Sequence, residues 1–153
     1  MAEQPRYKKI VVPIDGSGWS QRAIPHAVDI ARSNNAKVVL LHVLKNPISE
    51  YTDQLTLAGQ ETQVDQLREQ LRQHLAGLVS ELRNEKIDAE AQLIEGAGVA
   101  NIIADFCRNE NVDLIVMSTH GRTGIAQFFF GSVAHKLMHS VKIPVLLIHP
   151  DRE

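Results

Sequence analysis

Two stretches of the sequence concentrate the glycines and polar side chains that a binding site would need. One runs from Ser118 to Ser132, reading Ser-Thr-His-Gly-Arg-Thr-Gly before it reaches Gly131-Ser132. Gly121 and Gly124 let the backbone come close to a ligand. Gly131-Ser132 opens a helix-forming stretch, and a helix start offers unpaired N–H groups and the positive end of its dipole. That pairing favours a phosphate. One such charge contributes about 0.3–1 kcal/mol when exposed and roughly 2 kcal/mol when partly buried. Backbone donors, the Ser132 hydroxyl and Arg122 together could hold a triphosphate, and a side chain at Gly131 would then block it. The competing reading gives the glycines to the turn, the helix cap to Ser132 and Arg122 to solvent. The second stretch is Asp15-Gly16-Ser17-Gly18. Asp15 could accept hydrogen bonds from ribose hydroxyls or from an adenine amino group. Its competing role is an Asx turn or helix cap with Gly16 and Ser17.

Other candidate chemistry is thinner. No G-x-x-x-x-G-K-[ST] occurs, which excludes a P-loop nucleotidase. Gly16-Ser17-Gly18 begins a dinucleotide fingerprint, but Gln21 stands where its third glycine belongs. His135 and His139 are spaced i, i+4 and could share a metal. No glutamate follows His135, so a surface or dimer-facing pair is the preferred reading. His120 has no partner that would make it catalytic. Cys107 reads as a small buried hydrophobe. Phe128-Phe129-Phe130 reads as packing of its loop, with a partner contact as the alternative.

These residues must be positioned by a regular alternation of elements. Short, continuous, largely β-branched apolar runs occur at Ile10–Ile14, Val38–Leu44, Leu114–Met117 and Val145–Ile148, with a weaker alternating run at Ala89–Ile94. Such runs suit strands buried on both faces of a parallel sheet. Between them, Val64, Leu67, Leu71, Leu75, Leu78 and Leu82 make one apolar stripe on a helix over Glu61–Asn84. Further helices are predicted at Ser20–Ser33, Val99–Asn109 and Gly131–Ser140. Pro25 should kink the first unless that helix starts later. The pattern is an α/β fold: a five-stranded parallel sheet with helices on both faces. Ligands in such sheets sit beyond the carboxyl ends of the strands, where strand order reverses. The richest polar signals follow strands one and four. If these are neighbours, the order is 3-2-1-4-5 and the reversal lies between them. The long connection over 45–60 is either a lid or a surface loop.

The 153 residues make one domain, 1–153, with no repeat or linker. Hydrophobic residues at 44% and charged residues at 22% are those of a folded chain. A net charge of -2 without a basic stripe argues against nucleic acid as a partner. One cysteine allows no internal disulfide. The N-terminus lacks the apolar core of a signal peptide, and no run is long enough to span a bilayer, so no membrane is expected and the cytoplasm is the expected location.

At this point the chain closely resembles the universal stress protein family, from Lys9 to Pro150. Val12-Pro13-Ile14-Asp15-Gly16-Ser17 is similar to that family's opening strand and acidic loop, and Leu41-His42-Val43 to its second strand. Its nucleotide-binding branch carries G-2x-G-9x-G-[S/T]. The matching positions here are Ser118, Gly121, Gly131 and Ser132, with every spacing kept and serine in place of the first glycine. The resemblance implies ATP, possible magnesium, contact of Asp15 with the adenosine and of the Val43 backbone with the adenine. It implies phosphates held by Gly121, Gly131 and Ser132, and places Pro13, Ser118, Arg122 and Val133 in the same site. A branch resembling universal stress protein A lacks the glycine motif and does not bind ATP. The resemblance further implies a role in stress survival and signalling, and a dimer through the last strand. An independent argument also favours the homodimer, since an uncharged apolar edge strand invites pairing; the alternative is that Asp151-Arg152-Glu153 shields the edge. Three functions stay open: a dimeric ATP-binding sensor or regulator, a dimeric interaction module with a degenerate pocket, and a slow ATP hydrolase. An ATP pyrophosphatase is a looser fit, because Asp15-Gly16-Ser17-Gly18 only partly matches its loop and no substrate domain follows.

Overall fold

The computed structural model describes residues 6–45, 58–119 and 131–149. Five strands are present: β1 (Lys9–Ile14), β2 (Lys37–Leu44), β3 (Ala89–Glu95), β4 (Leu114–Ser118) and β5 (Val145–Ile148). Every neighbouring pair is parallel and the order is β3-β2-β1-β4-β5, as the polar signals after strands one and four predict. The helices are α1 (Gly18–Gln21), α2 (Ala23–Asn34), α3 (Ala58–Asn84), α4 (Val99–Asn109) and α5 (Ser132–Ser140).

Alternate residues of the central strands feed two cores. Ile10, Val12, Val38 and Leu40 meet α2 and α3 through Ala27, Ala31, Leu75 and Val79. Val11, Val39, Leu41 and Ile115 meet α4 and α5 through Ile103, Ala104, Cys107 and Leu137. Each fully buried Val, Leu or Ile side chain contributes about 1.5–3 kcal/mol. The layers therefore match the expected helices on both faces.

The helix predicted over Ser20–Ser33 is divided. Arg22 joins α1 to α2, its N–H donating to the carbonyls of Trp19 and Ser20. Pro25 is then the third residue of α2. The first turn of a helix has no internal acceptors for its N–H groups, so proline costs nothing there and no kink follows. Asn35 ends α2 in the left-handed region at φ 52. α3 starts three residues before the predicted Glu61, and α5 one residue after Gly131. Of the 45–60 connection, residues 46–57 lie outside the described residues, as do His120, Gly121, Arg122, Gly124, Phe128–Phe130 and the Asp151–Glu153 tail.

The extent of the β1–β4 pairing has a local cause. Lys8 accepts from the N–H of Lys37 at 2.9 Å, on the β2 side, whereas Lys9 accepts from the N–H of Asp113 at 2.9 Å, on the β4 side. Strand alternation puts Pro13 with Lys9, so its missing N–H falls on the β4 side. The register with β2 runs unbroken from Lys9 to Ile14. The register with β4 comprises Ile10–Leu114 and Val11–Ile115 and, among the described residues, extends no further. At the opposite end, the Asp113 carboxylate accepts from the N–H groups of Lys8 at 2.7 Å and Lys9 at 2.9 Å, clamping β1 to β4. Among the described residues the two strands are thus paired at their amino ends, and the pairing stops before their carboxyl ends.

The sheet edges differ. β3 carries Glu90, paired with Lys37 at 3.5 Å, and Glu95, paired with Arg68 at 2.5 Å. β5 is Val-Leu-Leu-Ile, and Leu146 is 38% exposed. Among the described residues no helix is long and apolar enough to cross a membrane.

Candidate functional site

Beyond the carboxyl ends of β1 and β4 lies a crevice of about 380 Å³. Its β1 wall is built by the turn after Ile14. Gly16 adopts φ 86, a conformation that favours glycine and turns the chain sharply. The Asp15 carboxylate accepts from the Ser17 N–H at 2.9 Å and from the Ser17 hydroxyl at 2.5 Å. Ser17 caps α1, its Oγ accepting from the Ser20 N–H at 3.2 Å. Ser20 Oγ closes the ring, donating to the Ser17 carbonyl at 2.9 Å and accepting from the Asp15 N–H at 3.2 Å. The Asx-turn role of Asp15 is therefore real, and the same residue also lines the crevice.

The β4 wall is built from backbone. Thr119 is buried, and its N–H donates to the Ile148 carbonyl at 3.0 Å. Its carbonyl accepts from the Gly131 N–H at 2.6 Å, and the Gly131 carbonyl accepts from the His135 N–H at 3.0 Å. A Cβ on Gly131 would stand 2.8 Å from the Thr119 oxygen. Glycine is needed here for this close approach, which refines the expectation that a side chain would simply obstruct a phosphate. The alternative in which Ser132 caps the helix is not what the structure shows: Gly131 is the N-cap of α5, with no side-chain cap bond among the described residues. Glycine offers no capping side chain, and Gly131, Ser132 and Val133 at this helix start line the crevice.

Pro13, Asp15, Val43, Ser118, Gly131, Ser132 and Val133 all line this crevice. Gly121 and Arg122 lie outside the described residues. The wall also uses Ser20, His42, Lys45, Val99 and Thr119, none of which is among the individually expected site residues. Ser20 has a signal in the Ser17-x-x-Ser20 spacing, and His42 in being the one polar residue of the apolar run Val38–Leu44. Val99 follows Gly98, the cap of α4 at the end of β3.

Two other candidates sit elsewhere. Cys107 packs among the α4 and α5 core residues, where burial pushes its thiol up to about 11. It is protonated at neutral pH and so a poor nucleophile. His135 and His139 are exposed on α5 and are not part of the crevice wall.

A crevice at the point of strand reversal, with an acid on one side and a glycine-capped helix start on the other, is one on which comparison can bear. A profile described as the universal stress protein family matches residues 6–149. The chain belongs to that family. Universal stress protein MJ0531 of Methanocaldococcus jannaschii is 32% identical over 148 residues, covering 96% of this chain and 85% of that protein. The solved structure of MJ0577, a protein of the same organism, superposes with a TM-score of 0.82 at 23% identity, covering 97% of this chain and 99% of the other. A universal stress protein from Archaeoglobus fulgidus, solved in complex with dAMP, gives a TM-score of 0.67 at 26% identity, covering 94% and 98%.

Within the family motif, Ser118 is the departure. It is the last residue of β4, paired with Ile148, and its φ is not positive. Its backbone therefore has no need of glycine. What serine adds is a Cβ and a hydroxyl at a wall position that is only 9% exposed.

Proposed function

We propose that this universal stress protein binds ATP, with magnesium carried on the phosphates, and acts as a homodimeric sensor or regulator in the cytoplasm, residues 1–153 forming one domain. One observation carries the reading: motif positions from β1, β2, β4 and the start of α5 line a single crevice of a volume typical of ligand sites. β2, β1 and β4 are consecutive, so the crevice spans two strand spacings, about 9–10 Å. The adenine would lie by the Val43 backbone, the ribose by Asp15, and the phosphates at the start of α5 and on Arg122. The test is calorimetry with ATP and AMP, with and without magnesium chloride, alongside mass spectrometry of what co-purifies. ATP binding at one site per chain is expected. No bound nucleotide and no heat with either ligand would remove the proposal.

Ser118 favours one other reading, a dimeric interaction module with a degenerate pocket. If ATP does not bind the native chain but binds Ser118→Gly, that reading replaces the first. Slow hydrolysis is a secondary possibility of the same site. Asp15 is engaged with Ser17 on the wall opposite the α5 start, so among the described residues it is not placed as a general base beside the phosphates.

The dimer would form along β5, where an apolar, uncharged edge is open to a second copy. Leu146→Lys should convert dimer to monomer in size-exclusion chromatography with light scattering. A monomeric native protein, or a variant that still dimerises, would overturn this.

A further inference from the structure

We propose that α5 carries a chelating site for a transition-metal dication, formed by His135 and His139 and separate from the nucleotide crevice. The i, i+4 spacing puts both residues on one face of the helix, one turn apart. Both are exposed, and their ring centroids stand 4.9 Å apart with the planes at 63°.

That separation suits a shared ion. An imidazole nitrogen binds such a metal at about 2.0–2.1 Å, which puts each ring centroid roughly 3.2 Å from it. Two centroids at that distance and 4.9 Å apart subtend an angle of about 100° at the metal, between the octahedral and tetrahedral values for N-donor sites. His139 lies in the last turn of α5, where the negative end of the helix dipole favours a cation. Among the described residues no group of three His, Cys, Asp or Glu side chains could hold an ion. Among the described residues the site is thus a two-imidazole chelate, with its remaining positions left to water. Imidazole donors and the usual order of divalent affinities select copper over nickel and zinc, and exclude magnesium and calcium.

The test is calorimetric titration of the untagged full-length chain with copper, nickel, zinc and magnesium salts, without nucleotide. His135→Gln and His139→Gln alter only exposed side chains, and circular dichroism confirms that both variants fold. The native chain should bind one copper per chain, with nickel and zinc weaker and magnesium silent. Each variant should lose at least ten-fold in copper affinity. Native-like binding by both variants would place the ion on other histidines and overturn the proposal. So would a native chain that binds no copper, or variants that change the oligomeric state without changing metal affinity, since the pair would then serve a contact between copies. Neither result depends on whether the crevice binds ATP.

Discussion

The two walls of the crevice are made of different materials. On the β1 side, Asp15, Ser17 and Ser20 form a closed ring of side-chain and main-chain hydrogen bonds around one turn. On the β4 side, a run of main-chain bonds links Ile148, Thr119, Gly131 and His135, and glycine is there because nothing larger fits. The first wall can be altered one polar atom at a time. The second can be altered only by adding volume. A ligand lying across both would have its neutral end read by side chains and its charged end held by backbone. The walls should therefore fail in different ways when mutated.

The largest effect is expected at the backbone wall. In Gly131→Val the new Cβ meets the Thr119 oxygen at 2.8 Å, so the neck between Thr119 and α5 must shift. Overpacking of this kind costs about 1–3 kcal/mol of stability. ATP affinity should fall at least ten-fold while adenosine affinity stays nearly unchanged, as read by parallel calorimetric titrations on folded protein. Equal loss for both ligands would mean that phosphates do not sit at this helix start.

Asp15→Asn probes the other wall with almost no change in volume. Hydrogen bonds to charged groups contribute about 1.5–3 kcal/mol. Affinity for adenosine and for ATP should therefore drop together, by roughly ten- to a hundred-fold. A variant that loses ATP but keeps adenosine would put Asp15 at the phosphates and reverse the assigned orientation.

The difference between the walls also explains what could be read before the fold was seen. Four strands are legible because a sheet covered on both faces demands uninterrupted apolar runs such as Val38–Leu41, the edge strand β3 shows only a weaker alternation, and the polar loops after strands one and four suggest the order. Asp15 was legible as a polar side chain at a strand end, although its turn and its wall position were read as rivals and are both present. The reason for Gly131 was not legible. It lies in a through-space contact with the Thr119 oxygen, across a stretch whose path sequence spacing does not determine. The division of α1 from α2 was hidden for a related reason. Pro25 marks a boundary without saying on which side the helix begins, and only the pairing of the Arg22 N–H with Trp19 and Ser20 decides it.

The smallest expected effect tests whether the side-chain wall acts as one unit. Ser17→Ala removes the cap of α1 and the hydroxyl bond to Asp15. Loss of a serine cap costs about 0.5–2 kcal/mol. For a chain of this size that is a fall in Tm of a few degrees, at about 2–4 °C per kcal/mol. Asp15 keeps its bond to the main-chain N–H of residue 17 at 2.9 Å, which alanine still supplies. The carboxylate should therefore stay in place, and nucleotide affinity should change by less than about three-fold, under 1 kcal/mol. Calorimetry and a thermal melt on the same sample separate the two quantities. If affinity instead falls as far as in Asp15→Asn, the hydroxyl rather than the backbone orients the carboxylate. The β1 wall would then be as indivisible as the β4 wall, and the contrast between them would reduce to one of chemistry alone.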